Sequence, residues 1–232
     1  MPPCRFGRIF GVKFQHTESG QRGTQAAMIA EFLTALDLSD VTLVANDTGG
    51  ALVQILITQR PERIKRVVLT SCDSFERFFP PVFQPLALLA RLPGAIWLVV
   101  QATRLRAVQR LPIVFGWVAK RPIPAVIADS YLRPARTHRG VRRDLRRFLR
   151  DVHRRHTLAA AEAFPQFERP VLVVWADEDR LFPVSLARRL AELLPDAELR
   201  LVSDSYTFIP EDQPAVLSDL VIDFAGSDPA GR

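Results

Sequence analysis

The stretch VTLVANDTGGALVQ, residues 41–54, places an aspartate on a short turn between a strand-like and a helix-like segment. Its opening VTLVA has the apolar character of a strand buried on both faces of a parallel sheet. A strand-to-helix elbow pushes its central side chain outward and tolerates only small neighbours, because its backbone is strained. Asp47 is central here, and Ala45, Gly49 and Gly50 are the small neighbours. An aspartate with an ordinary pKa of about 3.9 is ionised at neutral pH and can attack an electrophilic carbon to form an ester.

A helix cap is the alternative interpretation of the same turn. Asn46, Asp47 and Thr48 are all favourable capping residues, and Gly-Gly is common in plain turns. The backbone N–H groups at the start of the next helix, including that of Thr48, could also bind an oxyanion. The sequence therefore predicts either a nucleophile with an oxyanion site or an ordinary cap.

Strands and helices alternate around this elbow. Apolar runs predict strands at 41–45, 66–71, 171–175 and 198–202, and helical spacing predicts helices at 24–38, 49–59, 185–194 and 214–224. This alternation predicts an α/β fold with a mostly parallel sheet flanked by helices. In the first helix, one buried stripe is predicted at Ile29, Phe32, Leu33 and Leu36.

Residues 73–169 interrupt the alternation with prolines, aromatic residues and short helical stretches. We therefore expect a helical cap over 73–169, inserted into a core made of 1–72 and 170–232. Ligands of open parallel sheets bind beyond the carboxyl ends of the strands. Three polar loops have that position: NDTGG at 46–50, ADEDRLFP at 176–183 and SDSYTFIP at 203–210.

The loop ADEDRLFP offers three neighbouring carboxylates, Asp177, Glu178 and Asp179. One of them could support a catalytic base. Alternatively, all three form an acidic first turn ahead of a helix that begins at Pro183. Spacing alone does not separate these interpretations.

The composition is that of a globular protein, with 232 residues, 48% hydrophobic and 24% charged. The formal charge of +6 is concentrated in residues 133–156, which contain ten arginines and two aspartates. An amphipathic helix with a solvated basic face is the simplest interpretation, because apolar residues recur at helical spacing. These are Val141, Leu145, Phe148, Leu149 and Val152. Without interleaved aromatic residues the window does not favour nucleic acid, and an anionic substrate or membrane surface is the remaining alternative.

Cysteine usage and the N-terminus predict no metal, no other cofactor and a cytoplasmic location. Cys4 and Cys72 lie too far apart in the sequence to indicate a disulfide framework or a metal site. The N-terminus lacks the apolar core of a secretory signal. The apolar segment 83–102 contains Arg91 and a Pro-Gly pair, which predicts two short buried helices rather than a membrane span. The predicted partner is a small-molecule substrate, with no membrane and no nucleic acid.

Three ordered segments resemble the α/β-hydrolase family: LVANDTGGALVQ, VLVVWADEDRLFPVSLARRLAELLP and SYTFIPEDQPAVLSDLVIDF. The similarity covers residues 24–225, with 73–169 in the place of the family's variable cap. The resemblance implies that Asp47 is the nucleophile, as in the haloalkane dehalogenase and epoxide hydrolase branch. It also implies that Asp179 is the orienting acid and that the N–H of Thr48 is an oxyanion donor.

The last loop departs from the family's pattern at Thr207, which stands where the family has a catalytic histidine. A threonine hydroxyl cannot accept a proton near neutral pH, so hydrolysis of an ester on Asp47 lacks its usual base. None of the histidines lies in that loop; they are His16, His138, His153 and His156.

Further departures concern the elbow, the cap and the N-terminus. Thr48 stands where dehalogenases have a tryptophan that helps to hold a halide, so a dehalogenase is not favoured. Epoxide hydrolases of the family use cap tyrosines as acids, and the insertion offers only Tyr131. The family places several strands and a His-Gly oxyanion loop before the elbow, and only 46 residues precede Asp47. The resemblance therefore implies missing strands and an unpaired sheet edge, which residues 8–14 or a partner chain in a homodimer would cover.

These features predict a hydrolase of a small, largely apolar molecule that acts through Asp47 and a covalent ester. The alternative is a catalytically impaired relative that binds a ligand or has a structural role, since a fold does not fix a function. An arginine-rich adaptor for anionic partners is a third interpretation. In the hydrolase, we expect aromatic residues of the insertion to line an apolar pocket: Phe75, Phe78, Phe79, Phe83, Trp97 and Trp117.

Overall fold

The computed structural model describes residues 25–227, which fold around a four-stranded sheet. The strands are β1 (Val41–Asp47), β2 (Ile64–Cys72), β3 (Val171–Ala176) and β4 (Ala197–Val202). They are parallel and lie in the order β1-β2-β3-β4, so neighbours in the sheet are also consecutive strands of the chain. All four carboxyl ends therefore lie at the same edge of the sheet.

Helices precede, separate and follow these strands. The α-helices are α1 (Gln25–Ala35), α2 (Thr48–Gln59), α3 (Gln84–Leu89), α4 (Ala95–Ala102), α5 (Arg106–Gln109), α6 (Ala125–Thr137), α7 (Arg139–Asp151), α8 (Arg155–Ala163), α9 (Val184–Leu193), α10 (Ile209–Asp212) and α11 (Pro214–Gly226). Short 3₁₀ turns occupy Phe75–Arg77, Pro81–Phe83 and Phe164–Gln166, and a π-helical turn occupies Pro112–Gly116. The segment between β2 and β3 contains α3 to α8 and no strand within the described residues.

The core lies on both faces of the sheet, because alternate residues of a strand point in opposite directions. Val67, Leu69 and Val173 belong to a buried cluster with side chains of α1, α2, α8 and α9. Val68 and Leu172 belong to a second cluster that packs against α11. Strands β2 and β3 are therefore covered on both faces, as expected for apolar runs without polar alternation.

The predicted parallel sheet flanked by helices is confirmed, and the bounds of its elements differ from the predicted ones by at most three residues. The stripe predicted for α1 is wrong in part. Leu33 is buried together with Ala26 and Ala30, whereas Phe32 is 37% and Leu36 55% exposed. α1 packs against α2 through its alanines, because small side chains allow a short distance between helix axes.

The segment 83–102 forms two short helices, α3 and α4, as predicted. Within residues 25–227, no helix is long and apolar enough to cross a membrane. The expected burial is correct for only one side of α4. Ile96 and Val100 pack with Leu149 of α7, whereas Trp97 and Leu98 are exposed.

The basic window is divided between two helices. α7 is amphipathic as predicted, with Leu149 buried and most of its arginines at the surface, but it ends at Asp151. α8 packs against α2 and contributes Ala160 and Ala161 to the main core cluster. At one edge of the described sheet, β1 exposes Val44. Residues 8–14, predicted to cover such an edge, lie outside the described residues.

Candidate active site

The elbow joins the end of β1 to the start of α2 at Asp47. Asp47 has φ 53° and ψ −131°, a positive φ that is rare for a residue other than glycine. Its side chain makes no capping hydrogen bond to α2. A strained backbone without a capping bond is not explained by the helix-cap interpretation, and it holds the carboxyl group beside the first N–H groups of α2.

The small residues of the elbow allow α2 to pack closely on the sheet. A Cβ atom on Gly50 would lie 2.3 Å from Cβ and 2.5 Å from Sγ of Cys72, the buried last residue of β2. A Cβ atom on Gly49 would lie 4.0 Å from that of Ala45, an ordinary contact. Gly50 is therefore required by close approach, whereas Gly49 is not.

The acidic loop after β3 directs its three carboxylates to different places. Asp177 accepts a hydrogen bond from Ser203 Oγ at 2.8 Å, and Glu178 pairs with Lys120 Nζ at 2.6 Å on the surface. Asp179 points inward, where its Oδ1 accepts a hydrogen bond from Thr207 Oγ1 at 2.9 Å. Of the three carboxylates, only Asp179 contacts Thr207, whereas Asp177 contacts the exposed start of the last loop at Ser203.

The position of Asp179 is set by the loop that follows it. Its Oδ1 also accepts the backbone N–H groups of Leu181 at 2.8 Å and Phe182 at 2.9 Å. The indole of Trp175, in β3, donates to the carbonyl of Phe182 at 2.9 Å. Asp179 Oδ2 is buried and has no hydrogen-bond partner among the described residues.

Asn46 connects the elbow to the last loop, a role that the sequence analysis missed. Its Nδ2 donates to the carbonyl of Thr207 at 2.8 Å and to the carbonyls of Thr70 and Ser71 at 3.2 and 3.3 Å. One amide group therefore links the carboxyl ends of β1 and β2 with the loop after β4. Thr207 itself is fully buried.

Asp73 is a second site residue that the sequence analysis missed. It follows β2 directly, is fully buried, and accepts a hydrogen bond on Oδ2 from Thr48 Oγ1 at 3.0 Å. Its Oδ1 has no partner in the described part of the chain. The sequence does contain a signal for Asp73, because it is a polar residue at the carboxyl end of a buried strand. The same signal identifies the three polar loops. It was lost because the inserted cap was assumed to begin at this residue.

The pKa values of all three carboxyl groups of the site are raised, in each case mainly by burial. Burial raises the pKa of Asp47 from 3.8 to about 7, the charge of Asp179 adds to the rise, and the N–H of Thr48 opposes it. Burial, and next the charge of Asp47, raise the pKa of Asp73 well above its ordinary value, against the hydrogen bond from Thr48. Burial also raises the pKa of Asp179, while the N–H groups of Phe182 and Leu181 lower it.

Asp47 therefore does not keep the ordinary pKa expected from the sequence, because burial raises its pKa to about 7. Part of the Asp47 population is protonated at neutral pH. Within residues 25–227, no three carboxylate, histidine or cysteine side chains are placed to hold a metal ion.

A cavity of about 260 Å³ lies next to the elbow. Its lining residues are Asn46, Phe115, Tyr131, Phe208, Pro210 and Glu211. The cavity reaches Asn46 but not Asp47, and it contains none of the aromatic residues expected to line a pocket. Phe75 and Phe78 are buried in the core instead, and Trp97 is half exposed.

Tyr131 lies on the wall of this cavity and donates a hydrogen bond from its hydroxyl to Glu211. Burial, and next the hydrogen bond to Glu211, raise the pKa of Tyr131 to about 12. The phenol therefore stays protonated and can act as a donor. Tyr131 lies on a cavity wall that reaches Asn46 but not Asp47.

No histidine is hydrogen-bonded to Asp179 or Asp47 in the described residues. His153 Nδ1 accepts the N–H of Arg155, and both lie at the start of α8. Burial and the charge of Arg155 lower the pKa of His156. Among the residues that the structure describes, the groups that meet at the site are carboxyl, hydroxyl and backbone groups.

The order of strand, strained elbow and acid loop agrees with a comparison across the whole chain. Residues 14–220 match the model of the alpha/beta hydrolase family. This chain belongs to the alpha/beta hydrolase family. The sequence resemblance is thereby confirmed for the family and its fold.

Relatives of this alpha/beta hydrolase are more distant in sequence. It is 25% identical over 201 residues to the hydrolase YugF of Bacillus subtilis, which covers 86% of this chain and 70% of that protein. It is also 25% identical over 187 residues to the cis-3-alkyl-4-alkyloxetan-2-one decarboxylase of Shewanella oneidensis, which covers 75% of this chain and 56% of that protein. The chain spans between about half and about two thirds of the length of these relatives.

The fold of this alpha/beta hydrolase is similar to that of a mutant of the haloalkane dehalogenase DatA from Agrobacterium tumefaciens. The TM-score is 0.69 at 20% sequence identity, over 88% of this chain and 72% of the dehalogenase. At this identity the likeness concerns the fold alone.

Proposed function

We propose that this alpha/beta hydrolase cleaves small, largely apolar electrophiles with Asp47 as its nucleophile and an ester as the intermediate. The observation that supports the proposal most is the backbone of Asp47. Its φ of 53° is strained and holds a carboxyl group at the start of α2. Because the side chain makes no capping hydrogen bond, helix capping does not explain this strain. The alternative, a relative without turnover, is less favoured by the match to a family of hydrolases.

In the first step, an ionised Oδ atom of Asp47 attacks an electrophilic carbon of the substrate. A C–O bond forms, and the bond to the leaving group breaks, so the leaving group departs with the electron pair. A halide leaves as the anion, whereas an alkoxide must take up a proton. Tyr131, a protonated phenol on the adjoining cavity wall, is the proposed donor of that proton.

In the second step, water attacks the carbonyl carbon of the ester and gives up a proton to a base. We assign that base to Asp73, which is buried, tied to Thr48 Oγ1 at 3.0 Å and unpartnered at Oδ1 within the described chain. Its raised pKa makes its carboxylate a stronger base than an ordinary aspartate. The N–H of Thr48 would stabilise the oxyanion until the acyl C–O bond breaks. The departing alkoxide then takes the proton back from Asp73 and leaves as the alcohol, and Asp47 is a free carboxyl group again.

The substrate class follows from the cavity and from the names of similar proteins. The cavity beside Asn46 is walled mainly by Phe115, Phe208 and Pro210, so it suits an apolar group. One relative is named for a four-membered lactone with two alkyl substituents, and one structural neighbour for haloalkanes. Both substrates present an apolar chain beside an electrophilic carbon, as the proposed chemistry requires.

The test compares turnover with adduct formation. The protein is incubated with panels of esters, alkyl lactones, epoxides and haloalkanes, and both product release and the intact mass of the protein are measured. Asp47→Asn should abolish both product and adduct. Asp177→Asn, a change in the exposed carboxylate that pairs with Ser203, is the matched control and should retain both.

Labelled water identifies the attacked atom. In a single turnover in water enriched in heavy oxygen, the label should appear in the carboxyl group of Asp47, because water attacks the ester carbonyl rather than the substrate carbon. Label that appears only in the product would indicate direct attack by water and would contradict the covalent mechanism. Absence of both product and adduct across the panels would support the relative without turnover.

A further inference from the structure

The hairpin of α3 and α4 exposes four large apolar side chains, which we call the apolar tip. They are Leu88, Leu92, Trp97 and Leu98, with exposed fractions of 64%, 55%, 50% and 62%. All four lie within eleven consecutive residues, on α3, on the turn that follows it and on the outer side of α4. Scattered apolar residues are normal on a protein surface, but four large exposed ones on one short hairpin, a tryptophan among them, indicate an interaction surface.

The apolar tip is surrounded by positive charge. Arg91 lies in the turn itself and is exposed. Arg146 Nε donates to the carbonyl of Ala90 at 2.7 Å, and Arg150 Nη2 donates to the carbonyl of Arg91 at 3.3 Å. Both partners are neutral carbonyls, so these bonds hold two guanidinium groups of α7 against the turn without cancelling their charge.

Negative charge is missing from this part of the sequence. Residues 77–128 contain seven lysines and arginines and no aspartate or glutamate. The acidic residues of α7 are Asp144 and Asp151, and Asp144 is paired with Arg143 at 3.5 Å. The hairpin and the adjoining basic helix therefore form one cationic surface around an apolar centre.

Stability of the fold explains part of this arrangement. Arginines beside the last carbonyls of α3 satisfy groups that the helix leaves unpaired. That role does not account for Trp97 and Leu98, which face away from the cluster formed by Ile96, Val100 and Leu149. It also does not account for the missing acidic residues, since capping requires only local donors.

We propose that the apolar tip and the arginines around it dock on an anionic lipid bilayer, with the hairpin lying in the headgroup region. An apolar centre with tryptophan supplies the part that enters the interface, and surrounding arginines are attracted to anionic headgroups. An acidic protein surface would match the charge but would not need four exposed apolar side chains, so the lipid surface is the better fit. No membrane partner is expected from a segment that cannot span a bilayer, but docking on the surface requires no span. The inference is independent of Asp47 and its chemistry.

Co-sedimentation with lipid vesicles tests the proposal. The full chain should sediment with vesicles of phosphatidylcholine mixed with phosphatidylglycerol, but not with phosphatidylcholine alone, and added salt should weaken binding. Replacing Trp97→Ser and Leu98→Ser together should lower the partition coefficient by at least about tenfold. Arg91→Gln should lower it by roughly fivefold for anionic vesicles.

The matched control replaces two exposed apolar residues of α11, Val216→Ser and Ile222→Ser, and should bind like the unaltered protein. A direct readout is quenching of tryptophan fluorescence by brominated lipid, which Trp97→Phe should reduce while binding persists. The proposal is overturned if the unaltered protein does not bind anionic vesicles. It is also overturned if the Trp97→Ser, Leu98→Ser variant binds as well as the control variant with Val216→Ser and Ile222→Ser. Retention on a polyanionic resin without vesicle binding would also overturn it, in favour of an acidic macromolecule.

Discussion

Thr207 Oγ1 lies 2.9 Å from Asp179 Oδ1 and donates a hydrogen bond to it in the buried interior of the site. In the proposed mechanism, a base at this place would connect Asp179 to an ester on Asp47. The threonine hydroxyl donates to the carboxylate, but it cannot accept the proton of an attacking water.

Restoring the base is the first prediction. Thr207→His would place an imidazole beside Asp179, and general base catalysis contributes about 10²- to 10⁴-fold to a rate. Because Asp73 is already the base of the proposed mechanism, we expect the ester on Asp47 to break down faster by less than this full factor but by at least about tenfold, measured as the decay of the adduct by intact mass. Thr207→Gln is similar in size but has no base, so equal acceleration in both variants would contradict the argument. Thermal unfolding of each variant shows whether the buried position accepts the larger side chain.

The second prediction concerns the pH dependence of adduct formation. Only the ionised carboxylate attacks, and burial raises the pKa of Asp47 to about 7. The rate should therefore rise with pH through a midpoint near 7 and fall tenfold per pH unit well below it. Single-turnover quenching with a haloalkane isolates this step, because a halide needs no proton to leave. A midpoint near the ordinary value of 3.8 would show that the carboxyl group is not held as described.

The third prediction concerns stability. The folded-state pKa values of Asp47 and Asp73 are raised above 3.8, so between about pH 4 and 7 the folded protein binds more protons than the unfolded chain. The free energy of unfolding should therefore fall as the pH rises from about 5 to 7, by about 1–2 kcal/mol from Asp47 after allowance for its partial exposure. Urea unfolding at the two pH values measures this difference.

Asp73→Asn provides the internal check on that prediction. The amide oxygen still accepts the hydrogen bond from Thr48, but the group no longer titrates. The variant should be more stable than the unaltered protein at neutral pH and should show a smaller change between the two pH values. Asp219→Asn, on the exposed side of α11, should leave the pH dependence unchanged. If Asp73→Asn were less stable than the unaltered protein at neutral pH, the raised pKa of Asp73 would be contradicted.

The fourth prediction uses two neighbouring glycines. Gly50→Ala would place a Cβ atom 2.3 Å from that of Cys72 and should reduce the free energy of unfolding by about 1–3 kcal/mol. Gly49→Ala meets the Cβ of Ala45 only at 4.0 Å. It should be neutral or stabilise α2 by up to about 1 kcal/mol, because alanine favours a helix. Chemical denaturation of both variants decides the matter, and equal effects would rule out the close approach at Gly50.

Much of the fold could be predicted, because apolar runs and turn residues are local signals. The elbow at Asp47 and the four strands needed no more than their own sequence. The choice of Asp179 among three acidic neighbours could not be predicted, since it depends on how the N–H groups of Leu181 and Phe182 wrap around one carboxylate. Likewise, the hydrogen bonds of Asn46 join segments that are distant in sequence.

The residues that were placed wrongly share one physical cause. Trp97 and Phe32 are apolar and occupy positions consistent with a buried face, but the packing partner of each helix decides which face is buried. α4 turns Ile96 toward α7, which leaves Trp97 outside. Local periodicity defines the faces of a helix but not the element that covers one of them.

The indole of Trp175 holds the carbonyl of Phe182 from within β3, so the acid loop is anchored to the sheet independently of residue 207. The position of the Asp179 carboxylate therefore does not depend on which side chain stands at residue 207. A designer could vary the neighbour through a whole series of side chains and compare their chemistry against an acid that stays in one place.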